Sequence, residues 1–233
     1  MGRGSHSREP WLCRCDLARG GAYLLILCEM EPQMQAISSV SDLEALYDVV
    51  NPLSIEKVAR QLTPLYQQWI NASRFVVLST VGPEGTDASP RGDVDPVVHI
   101  ADPGTIMMPD WRGNNRLDSL KNIVRDERVS LMFMVPGCTN VVRVNGTAIV
   151  TADETLCARF EKKNILPRSV IVMKVGEAYF QCAKAIIRSR IWAGEDESDK
   201  APSAGDFLRE IKEDFDAEGY DKSYPEYAQT RLW

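Results

Sequence analysis

"RFVVLSTVGPEGTDASPRGDVDPVVHIADPGTIMMP", residues 74–109, alternates apolar and polar positions in runs broken by turn residues. That alternation is the mark of a half-buried strand, and "GPEG" at 82–85 and "ADPG" at 101–104 are turn chemistry. The stretch predicts a β-meander of "RFVVLSTV", "TDASPRGDVDPVVHI" and "TIMMP", with the strand of Arg91 beside TIMMP. Further strands are expected at "VSLMFMV" (129–135), "VVRVNGTAIV" (141–150) and "RSVIVMKVGEAYFQC" (168–182). Helical patterns are inserted between them, at 115–125 and in "DETLCARFEKKN" (153–164). Strands joined by short turns with occasional helices predict a mainly β chain, an antiparallel barrel rather than a parallel doubly wound sheet. No GxGxxG follows a strand and no GxxxxGK[ST] occurs, so neither common nucleotide fold has support.

Upstream, "SDLEALYDVVNP" (41–52) has Ser41 and Glu44 in capping-box spacing, and "SIEKVARQLTPLYQQWINAS" (54–73) reads as a broken helix with caps at Ser54 and Thr63. Leu62, Leu65, Tyr66, Trp69 and Ile70 are expected on one face of it. The run "GGAYLLILC" (20–28) is too short to span a bilayer, and Glu29 and Glu31 follow it without a cleavage pattern, so export and membrane insertion are not expected. Met30 and Met34 offer alternative starts. The domain reading is an N-terminal extension over 1–37, a core domain over 38–195, and an acidic surface tail with a short helix over 196–233.

A formal charge of −6 argues against nucleic acid as the main partner. The six cysteines form no CxxC pair and no zinc-finger array, so they read as reduced thiols of a cytoplasmic protein, Cys182 as a buried one. With His6 and His99 the only histidines, a site of several imidazoles is excluded.

Candidate chemistry gathers in "TIMMPDWRGNNRLDSLKNI" (105–123). Arg112, Asn114, Asn115 and Arg116 stand where a strand hands over to a helix, and Gly113 lets a ligand approach the backbone. Unpaired N–H groups and arginine forks at such a place attract phosphate. The bland alternative is a capping asparagine with solvated arginines. Arg91 reaches the same anion if its strand neighbours TIMMP; otherwise it pairs with Asp87 or Asp93.

In the order of these elements the chain resembles the pyridoxamine 5′-phosphate oxidase-like, FMN-binding split-barrel proteins, over roughly residues 38–195. "AYFQCAKAIIRSRIW" resembles the C-terminal signature of one uncharacterised branch. The resemblance implies a six-stranded antiparallel split β-barrel, a homodimer, and FMN in a cleft at the subunit interface. It assigns the FMN phosphate to Arg91, Asn114, Asn115 and Arg116, and lays Met107, Met108 and Pro109 along the isoalloxazine. By the resemblance Val141 and Arg143 fall near the flavin across the interface, and Lys184, Arg188 and Trp192 close the pocket from the second subunit; read from the residues alone, the first two are core-strand positions and the others surface charge with a packed Trp. The oxidase proper tends to carry Ser-Arg-Lys where this chain has Asn114-Asn115-Arg116, and its substrate region rich in Arg, His, Glu and Trp is not found. Vitamin B6 oxidation is therefore not the leading substrate. The implied activity is FMN-dependent hydride transfer on a small organic molecule. The alternatives are a flavin or haem binder without turnover, with His99 the one plausible imidazole ligand, and a structural dimer with an empty cleft.

Overall fold

The computed structural model describes residues 35–182 and 184–233. Expectations for the leader and "GGAYLLILC" lie outside the described residues. Two units are distinguished, Met1–Val50 and Asn51–Trp233. The described part of the first holds helix α1 (Val40–Glu44), capped by Ser39, two residues before the expected Ser41, through a 3.1 Å bond from Asp42 N to Ser39 Oγ.

In the second unit, α2 (Leu53–Glu56) is entered through Pro52, with Asn51 Oδ1 rather than Ser54 accepting from the Leu53 amide. Helix α3 (Pro64–Ala72) starts as expected, with Thr63 as N-cap and proline at the first helical position. It buries Ile70 and packs Tyr66 and Trp69 on the core, but Leu65 is 76% exposed.

Seven antiparallel strands follow where six were expected: β1 (Phe75–Gly82), β2 (Gly85–Gly92), β3 (His99–Asp102), β4 (Thr105–Asp110), β5 (Arg128–Met134), β6 (Asn140–Thr151) and β7 (Ser169–Cys182). Their order is β2-β1-β5-β6-β7-β4-β3, an open sheet with β2 and β3 at its edges. The expected strand over 86–100 is thus two. Asp93 ends the first part by accepting from the Val94 and Asp95 amides, and Pro96 follows in the connecting loop. Because β2 pairs only with β1, and β4 with β3 and β7, the expected pairing of the Arg91 strand with TIMMP does not occur.

The core faces follow from the alternation. Val76 and Leu78 of β1, Ile106 and Met108 of β4, Leu131 and Phe133 of β5, and Val142 and Val144 of β6 point inward and are at most 3% exposed. Each such side chain contributes about 1.5–3 kcal/mol of burial. In β7 the inward parity changes between Met173 and Ala178, because a bulge sets Asn145 opposite Glu177 but Gly146 opposite Val175.

Helix α4 (Asp118–Arg125) crosses β1 and β2 with Ile123 in the core. Ser119 Oγ donates to Asp87 Oδ2 at 2.5 Å, and Asn122 Nδ2 donates to Thr80 Oγ1 at 3.2 Å. The remaining helices are α5 (Glu154–Ala158), α6 (Lys184–Ser189), α7 (Ala204–Ile211) and α8 (Ala217–Gln229). The acidic tail therefore carries two helices: Ser203 and Asp206 form a capping box on α7, and Asp221 of α8 accepts from the Gly205 amide. No described helix is long and apolar enough to cross a membrane.

Candidate functional site

The open order of the sheet leaves a gap between the free edge of β2 and the end of β4, and that gap is a cleft of about 630 Å³. Residues 87–91 of β2 form one wall, Asp110 to Leu120 another, and Arg168 with Ser169 a third. Ser169 is there because it pairs with Asp110 across the β4–β7 ladder.

Arg91, Asn114, Asn115 and Arg116 all line this cleft, together with Arg112 and Gly113. The side chain of Arg91 reaches across the gap: its Nη1 donates to Asp110 Oδ1 at 2.6 Å, while its buried Nε has no acceptor. The partner is neither Asp87 nor Asp93. Asp93 is instead bound by Lys162 at 2.6 Å. Burial pulls the Lys162 ammonium toward deprotonation, but its hydrogen bonds to Asp93 and Asp95 outweigh this and raise its pKa above the usual lysine value.

The turn differs from the expectation in one respect that bears on its chemistry. Helix α4 begins at Asp118, not at 115, so residues 112–116 are a loop ahead of the helix. Asn114 Oδ1 accepts from the Arg116 amide at 3.0 Å, and Arg116 Nε donates to Asp118 Oδ2 at 2.8 Å. Asp118 therefore occupies the first turn, where the dipole favours a carboxylate. Any anion in the cleft must be held by side chains and loop amides. Asn115 and Leu117 both have φ of 62°, and Leu117 precedes the helix without a side-chain cap. Asparagine tolerates that conformation; for leucine it is strain, of order 1 kcal/mol or more.

The other candidates are placed elsewhere. Met108 is turned into the core at 3% exposure, so it does not present its side chain to a ring. Met107 lies opposite His99, and Pro109 lines a separate cleft of about 460 Å³ with His99, Trp111 and Phe160. Trp111 lines both clefts. The pairing of β3 with β4 stops at Met107, which leaves the Met108–Asp110 edge without a strand partner on that side. Val141 and Arg143 share one face of β6, as alternation predicts; Val141 is buried at 5% exposure, and the Arg143 guanidinium lies 5.4 Å from the Tyr179 ring centroid. Neither lines the arginine cleft of its own chain. Nor do Lys184 and Arg188, which lie on α6. Trp192 donates its indole N–H to the Cys138 carbonyl at 3.0 Å. Cys182 is exposed at the end of β7, beyond the core contacts, and not buried as expected. His99 meets Phe160 edge-on at 6.1 Å between centroids.

Arg168 and Asp110 were missed in the sequence. Both depend on the β4–β7 ladder, which joins segments about sixty residues apart and leaves no local trace.

The family model of pyridoxamine 5′-phosphate oxidase matches residues 62–182. Among solved structures, a histidine-to-alanine variant of HupZ from Group A Streptococcus is similar at 16% identity and a TM-score of 0.44, covering 52% of this chain and 99% of that one. A putative pyridoxamine 5′-phosphate oxidase from Lactobacillus delbrueckii is 25% identical with a TM-score of 0.41, covering 52% of this chain and 95% of its own. General Stress Protein 26 from Bacillus anthracis is 16% identical with a TM-score of 0.38, covering 49% and 88%. No curated protein matches the chain. The matched segment is just over half of the 233 residues and contains the whole sheet, from β1 to the end of β7. The chain thus belongs to the pyridoxamine 5′-phosphate oxidase family.

Proposed function

We propose that the protein is a cytoplasmic, homodimeric, FMN-dependent oxidoreductase that moves a hydride between a small organic substrate and the flavin. One observation carries the reading: in a chain of this family, the gap beside β4 is a cleft lined by four arginines. The residues fit the phosphate end of such a cofactor. Arg91 Nε has a proton to donate and no acceptor, and a Cβ added at Gly113 would meet no protein atom within 4 Å, so the space beside that backbone is open. When bound, the flavin would supply the redox chemistry, with hydride exchanged at N5. The chain supplies binding and orientation. Arg91, Asn114, Asn115 and Arg116 surround the phosphate, and the unpaired Met108–Asp110 edge offers backbone groups to the ring beside Met107 and Pro109. Val141, Arg143, Lys184 and Arg188, remote from the cleft of their own chain, would meet the flavin of the other subunit.

The test is to release the cofactor from freshly purified protein, identify it by mass, and ask whether NADH, NADPH or a substrate panel bleaches the flavin band. A colourless protein that takes up no added FMN would exclude the reading. A haem band would favour the rival with His99 as ligand. His99, however, lies outside the arginine cleft.

Two expected outcomes follow. Gly113→Ala should leave the melting temperature unchanged, because its Cβ meets open space, yet weaken FMN binding severalfold by standing where the ligand approaches. Equal FMN affinity would place the phosphate elsewhere. Light scattering should give a dimer, and Arg143→Ala should weaken FMN binding at full occupancy of that dimer. A monomer with tight FMN binding would refute the shared site.

A further inference from the structure

The charge of the chain is concentrated at its C-terminal end. Residues 196–233 hold eleven Asp and Glu against five Lys and Arg, a balance of −6 that equals the net charge of all 233 residues, so residues 1–195 sum to zero. Asp206, Asp216 and Asp221 are engaged within α7 and α8, accepting from the Arg209 side chain and from the Gly219 and Gly205 amides. Among the described residues, Glu210, Glu213, Asp214, Glu218 and Glu226 are exposed and have no such partner. Helix α8 also carries a column of rings. Tyr220, Tyr224 and Tyr227 recur at i, i+4 and i+7, which places them along one side of the helix. The Phe215 centroid lies 5.5 Å from that of Tyr220, Tyr224 stacks on Tyr220 at 5.5 Å, and Tyr227 follows at 6.3 Å. Tyr224 and Tyr227 are 47% and 52% exposed, so this end of the column is not core packing. Two cations of the chain already occupy aromatic faces here: the Arg231 guanidinium lies 4.3 Å from the Tyr227 centroid, and the Lys163 ammonium 4.2 Å from that of Trp233.

We propose that this column is a docking surface for a basic peptide segment of a partner protein, whose arginine side chains stack on Tyr224 and Tyr227. Ring faces are negative at their centres and attract cations, and a planar, weakly hydrated guanidinium covers a ring better than an ammonium does. Arg231 sits where such a guest would sit, at the end of the column and over its last ring. The unpartnered carboxylates add attraction at longer range. Salt screens charges more than about 8 Å apart, so the partner meets the local balance of the tail and not the neutral remainder of the chain. The same sign repels nucleic acid. A second copy meeting this surface tail to tail would set like charges against each other, which is unfavourable.

The test titrates the full chain with a fluorescein-labelled peptide of alternating arginine and glycine, and with lysine-glycine and glutamate-glycine peptides of the same length. The arginine peptide should bind most tightly, the lysine peptide more weakly, and the glutamate peptide not at all. Tyr224→Ala combined with Tyr227→Ala should raise the Kd of the arginine peptide about fivefold or more, whereas Tyr224→Phe with Tyr227→Phe, which keep the rings, should stay within about twofold of native. Matching ligand-free melts show that the variants are folded. A second comparison has the opposite sign and does not depend on the alanine pair: Arg231→Ala, which vacates a ring face, should tighten binding more than Lys222→Ala, which removes the same charge from the other side of α8. Equal affinity in the native chain and the alanine pair, or equal effects of Arg231→Ala and Lys222→Ala, would leave attraction by charge alone and overturn the docking surface. Failure of the native chain to bind the arginine peptide overturns it as well. So does a native oligomer in sedimentation that the alanine pair abolishes, since the column would then be a contact between copies.

Discussion

Arg91→Ala is expected to lower the unfolding free energy by about 2 kcal/mol, a larger effect on the fold than removal of any other cleft arginine. The reason is topological. No backbone ladder joins β2 to β4, so the rim of the gap between them is held by side chains, and Arg91 Nη1 to Asp110 Oδ1 at 2.6 Å is the direct link. The Asp110 side chain is 13% exposed and that of Arg91 23%. Removing the guanidinium strands a mostly buried carboxylate, which typically costs about 3–5 kcal/mol at full burial and less here because water can reach the pair. Asp110→Asn should cost less, since the guanidinium left behind lies nearer to solvent. The double variant Arg91→Ala, Asp110→Asn should recover part of the loss, because no unpaired charge remains. Urea unfolding of the two single variants and the double one measures the coupling. If Arg91→Ala unfolds at the native urea concentration, the pair does not hold the seam.

What could be read beforehand, and what could not, divides along the range of the interactions. The alternation of β1, β5 and β6 is local, and it marked them as half-buried strands without any knowledge of partners; Val76, Leu131 and Val144 occupy the buried face in the structure. The arginines and asparagines of 112–116 and Arg91 were legible as candidates because their side-chain chemistry is written in the residue types, and they do line one cleft. Their partners were not legible. Arg91 was read as an adjacent-strand residue, yet β1 pairs with β5 and β4 with β7, and it is these long-range ladders that bring Arg91 to Asp110 and Arg168 to the cleft. The start of α4 was missed because Asn115 suggests a cap while Leu117 does not. The chain passes through a left-handed leucine, which propensity alone would not select. Gly176 hid the change of parity in β7, since a strand read with a single period assigns Ala178 and Met173 to opposite faces when both are buried.

That bulge carries the second large expectation. Gly146→Ala should destabilise the sheet by about 3 kcal/mol, at the upper end of what a single added methyl costs in a packed site. A Cβ on Gly146 would overlap the Lys174 carbonyl oxygen and stand 3.0 Å from Gly176 N and 3.1 Å from Lys174 C. All three atoms are backbone of β7, so no side chain can rotate aside, and relief requires moving one central strand away from the other. Those two strands share the longest ladder of the sheet, from Asn140 paired with Cys182 to Thr151 paired with Val170. A shift there would also disturb Asn145, whose Nδ2 donates to Glu177 at 2.8 Å and whose Oδ1 accepts from Ser130 at 2.7 Å. The consequence reaches the candidate site, because β7 begins directly after Arg168 and positions β4 and, through it, Asp110. Gly146→Ala should therefore lose flavin affinity together with stability, whereas Gly113→Ala, whose Cβ meets open space, should lose affinity alone. Thermal melts and flavin titrations on the two variants make the comparison. If Gly146→Ala melts with the native protein, the two strands are not as closely apposed at the bulge as the structure has them, and the inward assignment of both Ala178 and Met173 would have to be withdrawn.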